Sequence, residues 1–272
     1  MEYYRLILYV IFGVLPSIIW LLYYLKKDLH PEPKKMILKV FLFGMLVTVP
    51  VFFIEMGLAS FLKQLQPFPL FTAYPWVNDV LKWFIVIALT EELLKYLVVK
   101  LAVFSSYELD EPLDIMLYMV VGALGFAALE NILYLFSPID GLSFQAVLQT
   151  TAMVSFIRFI GATFLHTLCS ALLGYFLVLS FMHIKRKMLF TMTGIVLAVG
   201  MHGLYNFSIM QLQTPFNFLV PVAILISLAL VIIFEFDRIK KLNHICEIEP
   251  SIIPKIKLKK LAPTPVIVDS VL

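Results

Sequence analysis

Long apolar stretches separated by short polar clusters make up most of this chain. A helix needs roughly 20 apolar residues to cross a bilayer. By that measure the pattern predicts seven spans. The first covers residues 5–25, the second 36–62 and the third 81–104. The fourth covers 115–136, a long fifth segment ends near Phe181, and the last two cover 188–210 and 215–236. The first stretch is too long for the apolar core of a signal peptide, and no small-residue cleavage pattern follows it, so it reads as a retained span. Between the first two spans, K-K-D-L-H-P-E-P-K-K carries two prolines that stop a helix. A Pro-rich connection, residues 63–78, leads into the third span.

Composition agrees with this pattern. Hydrophobic residues make up 61% of the 272 positions and charged residues 14%, with a mean hydropathy of +0.96. A soluble domain carries about 25% charged residues. The expected fold class is therefore all-α, a polytopic integral membrane protein. Lys and Arg are unevenly placed: residues 26–35, 100–114, 183–187 and the tail from 237 hold 4, 1, 3 and 7 of them. The alternate connections hold almost none. The positive-inside rule then puts the amino terminus outside and the carboxyl terminus in the cytoplasm. Residues 1–236 read as the membrane domain and 237–272 as a basic cytoplasmic tail, whose Lys255, Lys257, Lys259 and Lys260 suit anionic headgroups. Cys169 lies in a span and Cys246 in the tail, so no disulfide is expected. No nucleic-acid partner is expected.

The exceptions to the apolar pattern carry the chemistry. The third span contains Glu91, Glu92 and Lys95, the fourth Glu130 and Asn131, the fifth His166 and the sixth His202 and Asn206. An ionised side chain at mid-membrane costs about 2.5–3.5 kcal/mol on insertion scales, so such residues need a structural or functional offset. At 1.5 Å per helical residue, Glu91, Glu130 and His202 lie roughly 14, 10 and 14 Å below the outer boundary. His166 lies about 12 Å below Arg158, if Arg158 marks that boundary. Four helices thus bring ionisable groups to one level, which separate structural pairs would not require. Glu91 and Lys95 share a face and can pair, whereas Glu92 is turned about 100° and can meet another neighbour. That leaves Glu92 as the carboxylate available to act on water. His166 shares a face with Ser170, and His202 with Asn206. Each has a plainer reading too: an ion pair or interhelical hydrogen bond, or packing for Cys169. Glu55 reads as interfacial, and Trp76, Trp83 and Tyr74 as an interface belt.

The ordered set E-E-L-L-K (Glu91 to Lys95), G-F-A-A-L-E-N (Gly125 to Asn131), a histidine in the fifth span and H-G-L-Y-N (His202 to Asn206) resembles the PrsW family of bacterial intramembrane proteases. These are more distantly related to the CAAX-prenyl endoproteases and bacteriocin-processing enzymes. Tyr24, Asp28, Glu32 and Pro33 are similar to another family pattern, as is E-P-L-D (Glu111 to Asp114). The resemblance spans roughly residues 20–210 and implies a glutamic-type or metal-assisted endopeptidase of the bacterial plasma membrane. It would cut a membrane-tethered protein near the extracytoplasmic face; for the founding member that protein is an anti-sigma factor. Carried over, the site comprises Glu91, Glu92, Lys95, Glu130, Asn131, His166 and His202, with Asn206 one turn beyond. Glu130 stands where the prenyl endoproteases carry histidine.

On this reading Glu92 or Glu91 is the general base, a histidine orients the water, and Asn206 stabilises the oxyanion. No cofactor is demanded, but zinc held by Glu and His is possible chemistry, although H-E-x-x-H is absent. The rival functions are a proton- or ion-coupled transporter and a non-catalytic helical scaffold. The first lacks an internal repeat. The second does not need polar helices that meet at one depth.

Overall fold

The computed structural model describes residues 2–26, 31–106, 108–109, 111–136 and 143–242. Among them the chain is helical, as lipid requires: a segment in hydrocarbon must satisfy its own backbone. Ten α-helices follow one another: α1 (Glu2–Leu25), α2 (Lys34–Leu65), two short helices α3 (Pro69–Ala73) and α4 (Trp76–Val80), and α5 (Thr90–Ala102). After them come α6 (Pro112–Leu135), α7 (Phe144–Ile160), α8 (Ala162–Met182), α9 (Lys187–Gln211) and α10 (Phe216–Leu242). Six helices are long and apolar enough to cross a membrane, with α7 and α8 counted as one. The expected third span is also one unbroken helix, because a π-helical segment, Leu81–Leu89, joins α4 to α5. Its charged residues, not its length, set it apart from the six.

Local chemistry explains the boundaries. Pro112 opens α6, and Glu111 and Asp114 form a reciprocal capping box, the Glu111 N–H donating to Asp114 Oδ2 at 2.7 Å. Ser143 caps α7 by accepting the Ala146 N–H. Gly161 separates α7 from α8, and a Cβ there would fall 2.6 Å from the Tyr205 hydroxyl of α9. The break therefore needs glycine for close approach. The helix α10 continues past the expected boundary at 236 to Leu242. The later tail, with Cys246 and its lysines, lies outside the described residues, as does Asp28.

Helix α6 is the axis of the bundle. It packs on α1, α2, α5 and α8, and nearly every one of its side chains is buried. Its approach to α2 is close enough that a Cβ on Gly44 would strike the Gly122 carbonyl, and one on Gly125 the Phe41 carbonyl. Thr48 spans the same crossing, donating to the Phe126 carbonyl at 3.3 Å. Small residues at a helix contact are how membrane helices gain packing without a hydrophobic driving force. The helix α9 then lies against the π-helical segment and α8, and α10 covers α8 and α9.

Candidate active site

The bundle brings the ionisable side chains of the third, fourth, fifth and sixth expected spans into direct contact. Lys95, 1% exposed, is at the centre. Its ammonium donates to Glu91 Oε2 at 3.0 Å, Glu92 Oε1 at 2.8 Å and His166 Nδ1 at 2.8 Å. These three bonds use all the donors an ammonium has. They also set the His166 tautomer, because Nδ1 must accept and Nε2–H must donate. The Nε2 partner is Glu130 Oε2, at 2.8 Å. Glu130 is held from the other side by Arg158 Nη2 at 2.9 Å.

A similar argument applies to His202. Glu92 Oε1 lies 2.9 Å from His202 Nδ1, and a carboxylate paired with an ammonium can only accept. His202 therefore donates from Nδ1, and in the neutral ring the lone pair is then on Nε2. Ser170 reaches the second Glu92 oxygen at 3.5 Å. Phe126 floors the cluster, its ring centroid 4.3 Å from the Lys95 ammonium and 5.5 Å from the His166 ring.

A cavity of about 610 Å³ opens beside this cluster. Glu91, Glu130, His166, His202 and Asn206 all line it, whereas Glu92, fully buried, does not. The expectation that Glu91 alone holds Lys95 and frees Glu92 is therefore replaced by a different division. Lys95 reaches both carboxylates, one three residues and one four residues back along α5. Glu92 is spent on Lys95, His202 and Ser170, and Glu91 faces the open space.

Other residues differ from their sequence reading in informative ways. Asn131 is buried on the far side of α6, donating to the Gly13 carbonyl and to Thr163 Oγ1 and accepting from Arg158 Nε. It joins the cluster only through Arg158. Arg158, the conditional boundary mark for the depth of His166, is buried, because Glu130, Asn131 and the face of the Tyr134 ring all receive its guanidinium. Glu55 and Trp83, both assigned to the interface from sequence, line the cavity. Nothing in helical periodicity marks them, since their positions depend on how α2 and the π-helical segment are rotated. Trp76 and Tyr74 remain exposed. Glu111 is a helix cap and Glu32 accepts from the Tyr118 hydroxyl at 2.5 Å, both away from this cluster in the fold. Cys169 is buried packing.

Glu91, Glu92, His166 and His202 also form a group that could hold a metal ion. One donor atom from each lies within 4.8 Å of the others, and all four residues are buried. Two carboxylates and two imidazoles are a suitable donor set for a divalent transition metal. Three of these side chains already hold the Lys95 ammonium. The site is thus built around a cation, and a metal would draw on groups that now satisfy lysine.

A polytopic helical protein with glutamates, histidines and a lysine converging beside an intramembrane cavity has the makings of an intramembrane hydrolase. Comparison with known proteins makes the class specific. Residues 32–234 match the PrsW family of intramembrane metalloproteases, and the chain belongs to that family. It is 32% identical over 195 residues to Protease PrsW of Geobacillus kaustophilus, covering 71% of this chain and 76% of the relative. Protease PrsW of Oceanobacillus iheyensis is 27% identical over 232 residues, covering 85% and 94%. The Bacillus subtilis protein of that name is 27% identical over 218 residues, covering 77% and 86%. No solved structure gives a significant match. The chain is an intramembrane protease, and this membership decides against the transport reading.

Proposed function

We propose that this protease hydrolyses a peptide bond of a membrane-tethered protein, with Glu91 and His202 acting directly on water. The observation that carries this reading is the division of labour in the cluster. Glu91 Oε1 and His202 Nε2 are acceptors not spent on the cluster's own bonds, on two residues that line the cavity. A water donating one hydrogen to each is held with a lone pair toward an incoming carbonyl carbon. Glu91 removes one proton as the oxygen adds, forming a tetrahedral oxyanion. The side-chain amide of Asn206, one turn from His202 and lining the same cavity, donates to that oxyanion. Glu91 then returns the proton to the leaving nitrogen, giving a carboxylic acid and an amine.

The remaining polar residues hold this pair in place. Glu92 orients His202 and offsets Lys95, while Glu130 and Arg158 fix His166, which in turn fixes the ammonium. Zinc bound by Glu91, Glu92, His166 and His202 would supply a Lewis acid and a more acidic water. Metal analysis of purified wild type and His202→Ala, with a chelator series, measures whether it does.

The lysine and arginine distribution supports an amino terminus outside and a carboxyl terminus in the cytoplasm, with the cluster in the outer half of the bilayer. Residues 1–236 then act as the protease domain and 237–272 as a cytoplasmic tail. The family resemblance supports a bacterial plasma membrane enzyme whose substrate is a single-span regulator such as an anti-sigma factor. The test uses purified wild type, Glu91→Gln and Glu92→Gln with a single-span reporter. Loss of a general base costs about 10²–10⁴-fold. Glu91→Gln, whose amide oxygen can still accept from Lys95, should lose cleavage by that order per folded molecule, with the folded fraction read from thermal unfolding. Wild-type turnover by Glu91→Gln would sink the mechanism.

A further inference from the structure

The cluster accounts for every carboxylate on the cavity wall but one. Glu91 is held by Lys95, and Glu130 by Arg158 and His166. Glu55, from α2, lines the same cavity with its Oε1 buried and without a hydrogen-bond partner among the described residues. It is close enough to Glu91, Glu130 and Lys95 to interact with their charges. No hydrogen bond joins either cation of the cluster to it: Lys95 has spent its three donors, and Arg158 sits against Glu130, Asn131 and Tyr134, although its Nη2 makes no well-aligned hydrogen bond. Within the cluster Glu91, Glu92 and Glu130 face Lys95 and Arg158. On the same wall the Trp83 Nε1–H is likewise buried, with no acceptor among the described residues. A lipid tail in this cavity would leave both groups unsatisfied. A peptide segment offers a backbone carbonyl to the tryptophan and a side chain to the glutamate.

We propose that Glu55 is a specificity determinant that receives a lysine or arginine side chain of the substrate at one fixed position near the scissile bond. The chemistry is that of an unpaired carboxyl group in a low-dielectric wall beside the carboxylates of Glu91 and Glu130. A substrate ammonium or guanidinium there supplies the partner that Glu55 lacks, whereas an acidic side chain at that position adds to the charge of Glu91 and Glu130 and is repelled. This inference rests on the proteolytic reading above, and it adds the substrate feature that the site selects.

The experiment uses the full chain purified in detergent and a competing mixture of synthetic single-span peptides. Their segment flanking the hydrophobic stretch carries Lys, Arg, Gln or Glu at each position in turn, and cut products are counted by mass spectrometry. Wild type is expected to prefer Lys or Arg over Gln at one position by on the order of tenfold or more, as for a desolvated charge pair. Glu55→Gln should bring that ratio close to unity, and Glu55→Lys should turn it toward Glu. Because each ratio is read within one reaction, a smaller folded fraction lowers the rate without moving it. Glu91-dependent cleavage that is indifferent to charge at every position, or a basic preference unchanged in Glu55→Gln, overturns the proposal alone. A library cut no better by wild type than by Glu91→Gln overturns the protease mechanism, and this inference with it.

Discussion

Helix α6 buries 94% of its most apolar window inside the protein, whereas α1 and α10 bury 22% and 28% of theirs. Yet the most apolar stretches of α1, α2 and α10 are more hydrophobic than those of α6, of α7 and α8 together, and of α9. A soluble protein would show the reverse. In a bilayer, lipid tails are as apolar as leucine, so hydrophobicity does not drive a helix inward. Close packing and interhelical polar bonds do. Helix α6 supplies the first through Gly122 and Gly125, and the second through Glu130 and Asn131. Helix α2 shows both regimes at once: its Gly44 and Thr48 meet α6, while Leu46 and Phe53 face outward.

This contrast can be broken most severely at Lys95 of α5, where the interhelical polar bonds converge. Lys95→Met leaves Glu91 and Glu92 as uncompensated buried carboxylates, and removing one partner of a buried pair costs about 3–5 kcal/mol. The variant should lose most of its thermal stability in detergent, and its proteolysis with it. An unfolding curve like that of wild type would show that the cluster is not held together by its lysine.

A smaller effect is expected where α2 crosses α6. Gly125→Ala drives a methyl group into the Phe41 backbone carbonyl, which cannot turn aside as a side chain would. Overpacking of this kind costs about 1–3 kcal/mol. Denaturant titration of the variant checks it, and an unchanged midpoint would mean that the two helices are free to separate. Smallest of all are the lipid-facing positions. Leu46→Ala and Phe234→Ala alter side chains that are 64% and 67% exposed, and each should shift stability by no more than about 0.5 kcal/mol. A large loss at either would place that face in an assembly interface instead of lipid.

The same contrast explains what could be read before the fold was known. Apolar length and proline placement were enough for the spans, and charge inside those spans was enough for Glu91, Glu92, Lys95, Glu130, His166 and His202. Helical spacing was less reliable on partners. It placed Lys95 on the face of Glu91, while in three dimensions the ammonium also reaches Glu92 and an imidazole from α8. It could not show that Asn131 turns toward α1, nor that Arg158 folds inward to Glu130. Adjacent carboxylates differ by one step of rotation, and a π-helical segment immediately before them changes that rotation by a sequence-silent amount.

Sequence alone thus determined that this is a helical membrane protein with an ordered set of intramembrane acids, histidines and a lysine. Hydropathy and the cost of burying charge are local properties, legible residue by residue. Only the tertiary structure decided which acid faces the cavity, which histidine nitrogen is free and that Glu55 and Trp83 belong to the wall. Those depend on which helix faces meet and at what rotation, and packing sets both.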